Sequence, residues 1–528
     1  MMAAIDSTIF QQPFLAACLV LAVVMLVWDT IEVGRNDAAN LVNAVFGSRV
    51  LRHRTAILVA GVAVVCGATL GSDVIDTARK GIFTPDNFKG VQFGLQAVLT
   101  IYVSVYIVDT VLLYGYSGFG MPVSTTACLV FELLGAALAM DLLTDADSVN
   151  WSKSGKVVIA IVCSIAMSGV VAFLIQRAVR GAIRDRTTHH ATLLLHGGWV
   201  GGGMAAGLFY FLLLKGMKDI TWVKVFRTEI VEQLGHAVVI FAFWAFFAVV
   251  IHLALVRFRQ RAADLLFPAL AVLGTLAMAF AFGQNDLANC ASPGLASIHL
   301  IQKGDLHTAS KVPIETWMLF ACGLLLFWGM TRPRARRVTK AAVSTGSMGD
   351  HVALWAPRWC VSLAEYLLRF RSKAPALAPR PSFTEAGKAI HFDALRASVI
   401  MAVSASVIAT ASSMGLPVST TYVTFAAVVA TGMADRIFQR GDAALKLGRA
   451  IWVITSWFLA ALIAAVAAGL VATAIFRLEI WGMGAVLILN LVLRQKLKTR
   501  SDLHQRRVKE QAYERAHPEE FALEDERF

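Results

Sequence analysis

Long apolar runs alternate along the chain with short polar and basic intervals, and most runs reach the roughly 20 residues a helix needs to cross a bilayer. The runs fall at about 14–47, 56–77, 92–114, 122–140, 156–179, 192–214, 231–256, 267–298, 314–331, 391–412, 417–434, 449–476 and 480–493. They predict an all-α polytopic membrane protein with about 12 to 13 membrane segments, one or two of them candidates for re-entrant hairpins. Two runs, 14–47 and 267–298, are interrupted by polar residues.

The polar interruptions repeat. "GRNDAAN" (Gly34 to Asn40) returns as "GQNDLAN" (Gly283 to Asn289), and "MPVSTT" (Met121 to Thr126) returns in the same order as "LPVSTT" (Leu416 to Thr421). The second pair is more widely spaced, and the polar stretch from Arg332 to about Ile390 accounts for the difference. The expected division is a first repeat over 1–180, linking transmembrane helices over 181–266, and a second repeat over 267–476 that contains a cytoplasmic loop at 332–390. A final membrane segment and a charged cytoplasmic tail occupy 477–528. Five crossings per repeat and two linking segments make an odd number, so the repeats are expected to have inverted topology with broken helices.

Charge supports that arrangement and explains the composition. With the N-terminus outside, the cytoplasmic loops carry Arg49, Arg52 and Arg54, then Arg177, Arg180, Arg184 and Arg186, then Arg257, Arg259 and Arg261, then Arg332, Arg334, Arg336, Arg337 and Lys340. The tail from Arg494 to Arg507 also falls inside, and one loop, with Lys215, Lys218, Lys224 and Arg227, dissents. The chain is 57% hydrophobic and 16% charged, which excludes an ordinary soluble enzyme, and its net charge of +13 reads as topology rather than nucleic-acid binding. Phe14 to Val33 reads as a retained helix rather than a cleaved leader, and the expected location is a cell membrane of the plasma or inner type. The seven cysteines form no CxxC pair and the twelve histidines no HExxH spacing, so no metal site or disulfide framework is expected. Asp350 to Phe370, with Trp355, Trp359, Leu363, Tyr366 and Leu367, has the pattern of an interfacial amphipathic helix. The tail ending "PEEFALEDERF" reads as a solvated helix or disordered end.

Buried carboxylates need a use. An acid at the middle of a spanning helix costs about 2.5 to 3.5 kcal/mol, so Asp37 and Asp286 together cost on the order of 5 to 7 kcal/mol. Their asparagine neighbours supply amide and carbonyl groups, and Gly34 and Gly283 would let the helices unwind to turn backbone carbonyls inward. Those are ligands for a small hard cation near the midplane, with a polar helix contact as the structural alternative. In the second motif, Pro122 and Pro417 suit a first helical position, which puts Ser124, Thr125 and Thr126, and Ser419, Thr420 and Thr421, in a first turn. Hydroxyls and unpaired N–H groups at two helix starts form a cradle for a tetrahedral oxyanion, against the plainer reading of N-capping. A symporter of an anion with cations follows.

The doubled "GxNDxAN" and "PVSTT" motifs resemble the inorganic phosphate transporter (PiT) family, over residues of about 14 to 476. The resemblance implies secondary active uptake of inorganic phosphate coupled to sodium or protons, with no cofactor beyond that ion and no catalytic activity. It also implies that Asn36, Asp37, Asn285 and Asp286 contribute to the substrate site and Asp37, Asn40, Asp286 and Asn289 to the cation site. Ser124 to Thr126 and Ser419 to Thr421 would then hold the phosphate. Members often carry His after "STT", where this chain has Ala127 and Tyr422. A homodimer is a compatible assembly.

The repeats also differ. Asp29, Glu32 and Arg35 face Met278, Ala281 and Gln284 on the alignment of the motifs, and Glu132 faces Ala427. Asp29, Glu32 and Arg35 lie roughly on one helical face, so Arg35 either binds phosphate or neutralises Glu32, and the second is favoured. Asp109 and Glu132 are further intramembrane acids, read equally as cation or proton sites or as acids paired within the bundle. A sulfate permease on the same scaffold is the alternative function. An integral membrane enzyme acting on phosphorylated lipid is a distant one, because the loops carry no phosphatase, metal or Walker pattern.

Overall fold

Without water to satisfy it, backbone in a bilayer must bond within its own segment, and among the described residues the apolar runs are mainly helix. The computed structural model describes residues 12–70, 82–217, 220–303, 306, 315–370, 382–384 and 389–516. The end of the second apolar run, most of the stretch 371–388 and the acidic end of the tail lie outside the described residues.

Helices α1 (Pro13–Gly47) and α2 (His53–Leu70) are followed by the hairpin α3 (Gly94–Gly118) and α4 (Thr125–Thr144), then by α5 (Trp151–Ile183). Next come α6 (His190–Tyr210), α7 (Thr221–Phe226) and α8 (His236–Phe258). The 44-residue α9 (Gln260–Lys303) leads to α10 (Thr316–Met330), the polar α11 (Pro333–Thr345) and α12 (Arg358–Leu368). A second hairpin, α13 (Ala394–Ser413) and α14 (Thr420–Ala434), precedes α15 (Ala443–Ala516). Within α15, Glu479 at φ 49° divides two helical lengths, matching the separate runs at 449–476 and 480–493. By length and composition ten helices can cross a membrane among the described residues, and α10 and α14 are shorter apolar helices.

The two hairpins point their tips at each other. The open end of α3/α4 is closed by backbone pairing of Phe83 with Val149 and by Asn150 N–H donating to the Ile82 carbonyl at 2.9 Å. The open end of α13/α14 is closed by Arg180 of α5, which bridges Asp393 (2.7 Å) and Asp435 (2.9 Å), while Gln176 donates to Asp435. Burial pushes the Asp393 carboxyl up, but the guanidinium beside it prevails and holds it below the usual carboxylate range. Its place in an arginine-rich interval puts Arg180 in a loop; in the structure it is buried and fastens three helices.

Glycine allows the closest contacts. A Cβ on Gly34 would stand 2.1 Å from the Leu326 carbonyl oxygen of α10, and one on Gly283 would stand 2.3 Å from that of Val64 in α2. These glycines therefore bring helices together and do not unwind them: α1 and α9 run unbroken through both Asn-Asp motifs, contrary to the expected helix break there. In α9 the Tyr106 hydroxyl donates to the Cys290 carbonyl (2.6 Å) and accepts from Gly294 N–H (2.7 Å), repairing the ladder beside Pro293.

The amphipathic helix of the long loop is shorter than its sequence pattern. In α12, Cys360 and Ala364 are buried, while Trp359, Leu363, Tyr366 and Leu367 stand exposed as one apolar face. Trp355 instead packs edge-on against Trp452 and His504. All seven cysteines are free.

Candidate functional site

Glycine also makes the two breaks that do occur. Gly120 and Gly415 both sit at φ +66°, a backbone conformation that side chains disfavour, and each turns the chain out of a helix. Four residues of non-helical chain follow before the next helix begins, at Thr125 and Thr420. The prolines thus stand two residues ahead of the cap rather than in the first helical turn, as their sequence position had implied. Ser124 and Ser419 are the caps: their hydroxyls accept from Ala127 N–H (3.0 Å) and Tyr422 N–H (3.1 Å).

The asparagines hold these extended segments. Asn36 donates to the Ser117 hydroxyl (3.0 Å) and accepts from Val123 N–H (3.2 Å). Asn285 donates to the Val418 carbonyl (2.7 Å) and accepts from Val418 N–H (3.3 Å). One turn further along each helix, the second asparagine crosses over. Asn40 donates to Thr421 (2.9 Å) and Asn289 to Thr126 (2.8 Å). The threonines complete the exchange, Thr126 donating to the Val418 carbonyl (3.0 Å) and Thr421 within 3.1 Å of the Val123 carbonyl. Each hairpin tip is therefore gripped by the Asn-Asp helix of its own half through the first asparagine, and by that of the other half through the second.

The two aspartates meet at the centre of this exchange. Asp37 accepts from Asn40 (2.8 Å) and Thr421 (2.9 Å), and Asp286 accepts from Asn289 (2.8 Å) with Thr420 beside it. Between them stands one hydroxyl, that of Thr125, 3.0 Å from Asp286 and 3.3 Å from Asp37. A hydroxyl carries one proton and can donate to only one of the two. The hydrogen-bond partners of both carboxylates, among the described residues, are hydroxyls and amides, and no residue of this constellation is more than 4% exposed. Two buried carboxylates around one hydroxyl, with amide oxygens such as Asn289 Oδ1 left without a partner, form a donor set that suits a small hard cation or a proton.

Of the other candidate residues, none joins the aspartate pair. Arg35 forms an ion pair with Glu32 at 2.7 Å. The other Glu32 oxygen accepts from Arg494 at 2.5 Å and from the Trp28 indole at 3.3 Å. The charge pattern puts Arg494 at the start of the cytoplasmic tail; helix continuity through α15 instead carries it into the bundle, where it is buried. Asp109 is hydrogen-bonded to Asp29, and Glu132 lies near both, its own oxygens without a partner. Tyr422 packs face to face on Trp457 (3.8 Å between centroids), whose indole donates to the Pro122 carbonyl. Sequence reasoning missed Ser117 and Arg494, whose only signal was polarity near the end of an apolar run.

A family model described as the phosphate transporter family matches residues 33–342 and 384–468, which takes in all four motifs. A provisionally named phosphate permease of Thermococcus kodakarensis is 26% identical over 82% of this chain and 91% of its own length. One from Pyrococcus abyssi is 25% identical over 90% of this chain and 100% of its own length. Among solved structures, one titled the sodium-dependent phosphate transporter has a TM-score of 0.62 at 20% identity, covering 88% of this chain and 100% of that one, a likeness of fold.

Proposed function

Because the chain belongs to the phosphate transporter family, we propose that it is a secondary active transporter that moves inorganic phosphate together with a cation, sodium or a proton, by alternating access. The observation that carries this reading is the Thr125 hydroxyl shared by Asp37 and Asp286 at the junction of the two hairpin tips. Two like charges in a dry site are stable together only with a positive ion between them. One such ion lowers the local charge from −2 to −1 and weakens the repulsion of an anion, and the hydroxyls and first-turn N–H groups of α4 and α14 would exchange their present bonds for a phosphate.

In this reading Asp37, Asn40, Asp286 and Asn289 hold the coupling ion. Ser124, Thr125, Thr126, Ser419, Thr420 and Thr421 bind phosphate, while Asn36 and Asn285 position the two tips. The inverted arrangement expected of the repeats gives the mechanism its symmetry: each hairpin would open the site to one side of the membrane, with the crossed asparagine–threonine bonds exchanged between states. The neighbour titled the sodium-dependent phosphate transporter favours sodium as the ion to test first.

Phosphate is favoured over sulfate on chemical grounds. Near neutral pH phosphate carries at least one hydrogen that a carboxylate can accept, and sulfate has none, so beside Asp37 or Asp286 it would leave like-charged oxygens in contact. Labelled phosphate uptake into proteoliposomes should fall in proportion to added unlabelled phosphate and stay within a factor of about two at a tenfold excess of sulfate, given a discrimination of 10⁴ or more where a site hydrogen bond is lost. Equal competition by sulfate would assign the site to tetrahedral oxyanions in general.

A further inference from the structure

The repeated motifs leave one cluster unused. Three guanidinium groups from separate parts of the chain converge on the ring of Tyr114 in α3: Arg334 of α11 at 3.8 Å, Arg494 of α15 at 4.2 Å and Arg35 of α1 at 5.8 Å from its centroid. The bonded carboxylate among them is Glu32, which takes one contact each from Arg35 and Arg494. Arg494 is otherwise committed, to the Thr110 carbonyl and to the face of Trp28. Arg35 Nε and Arg334 Nη1 are buried and have no hydrogen-bond partner. Asp29 lies within electrostatic reach of Arg494 but is bonded to Asp109, and Asp502, within reach of Arg334, is paired with Arg337 at 2.7 Å.

Unpaired buried guanidinium N–H groups are costly, and positive charge on cytoplasmic loops does not by itself require three arginines to share one ring. Three cations against one bonded carboxylate leave two positive charges, the complement of a hydrogen phosphate dianion. A phosphodiester headgroup, with a single charge, leaves one uncompensated. The cluster also adjoins the central site, since Arg35 precedes Asn36, and Asn36 donates to Ser117 one turn beyond Tyr114. Helix α11, which brings Arg334, packs Val338 and Ala342 against Ala39 of the Asn-Asp motif.

We infer that Arg35, Arg334 and Arg494 form a second binding site for a phosphate dianion, beside the paired aspartates and on the side closed by α11. Arg35 and Arg334 offer the unpartnered N–H groups, and Arg494 and Glu32 set the charge and orient Arg35. The inference rests on phosphate being the substrate, and it answers why the first half alone carries an arginine in its motif. Phosphate leaving the aspartate pair would be received here before release.

Equilibrium binding of labelled inorganic phosphate to the purified full chain tests it. The wild type should bind two phosphates per chain, and Thr125→Val with Thr420→Val should leave one. Arg334→Gln in that background should weaken the remaining site by about tenfold to a hundredfold, the value of a charge-assisted bond. Arg334→Lys, which keeps the charge and loses the fork, should weaken it by about tenfold and carries the test if the glutamine variant does not fold. One phosphate per wild-type chain, unaffected by Arg334→Lys, overturns this site alone and makes the cluster a clamp on Tyr114. No phosphate bound at all overturns the substrate reading as well. In vesicles, displacement of the second phosphate by phosphatidylglycerol would show a lipid-headgroup site and overturn the assignment to free phosphate.

Discussion

Asp37→Asn and Asp286→Asn are each expected to abolish gradient-driven phosphate accumulation while the protein still inserts and purifies as a folded species. The argument is one of charge at constant shape. Asparagine matches aspartate in size and still offers an oxygen to Asn40 and Thr421, or to Asn289 and Thr125, so the tips of the hairpins keep their supports. A bound cation, however, loses half of the negative charge that holds it. Removing one partner of a buried ionic contact costs about 3 to 5 kcal/mol, which is roughly a hundredfold or more in occupancy at a fixed cation concentration. Uptake assays on reconstituted variants, with size-exclusion profiles to establish folding, check this. Accumulation at wild-type levels by both variants would remove the aspartate pair from the coupling site.

Gly34→Ala and Gly283→Ala are expected to damage the fold itself. At each position the added methyl would meet a backbone carbonyl of another helix at 2.1 or 2.3 Å, and no rotamer change can clear a backbone atom. The α1–α10 or the α9–α2 contact must open, at about 1 to 3 kcal/mol or more for each substitution. Gly155→Ala on the exposed face of α5, where nothing lies within 4 Å of the new methyl, is the control and should be neutral to slightly stabilising. Thermal unfolding in detergent should rank the first two variants well below the wild type and the third at or above it. Equal unfolding temperatures for all three would contradict close backbone contact as the reason for glycine in the motif.

These two expectations mark how far the sequence could be read. Repetition of the Asn-Asp and Ser-Thr-Thr motifs was visible as letters, and it located every residue that meets around Thr125. Pro122 and Pro417 misplaced the helix starts, because proline suits extended chain as well as a first turn, so Ser124 and Ser419 are caps, the plainer of the two readings. Gly34 misled, because a glycine that breaks a helix and one that admits a neighbouring backbone look alike until the neighbour is known. The same limit applies to Arg494 and Arg180: an arginine at the end of an apolar run reads as a loop residue, and only long-range contact with Glu32, or with Asp393 and Asp435, identifies it as part of the bundle. The crossed pattern, in which Asn40 reaches Thr421 and Asn289 reaches Thr126, likewise joins residues hundreds of positions apart and leaves no local periodicity to detect.

The crossed pattern would give the proposed coupling a physical route. Asp37 accepts from Thr421 of the opposite hairpin, so an ion bound at the pair would act on both tips together. Phosphate flux and cation flux should therefore be linked, which leakage through a pore would not produce. The most direct measurement is the phosphate ratio at static head in proteoliposomes, with a sodium gradient and a proton gradient imposed separately. Coupled transport requires accumulation above the equilibrium distribution under at least one of the two gradients, collapsing when that gradient is dissipated. Phosphate that only equilibrates across the membrane under both would contradict it.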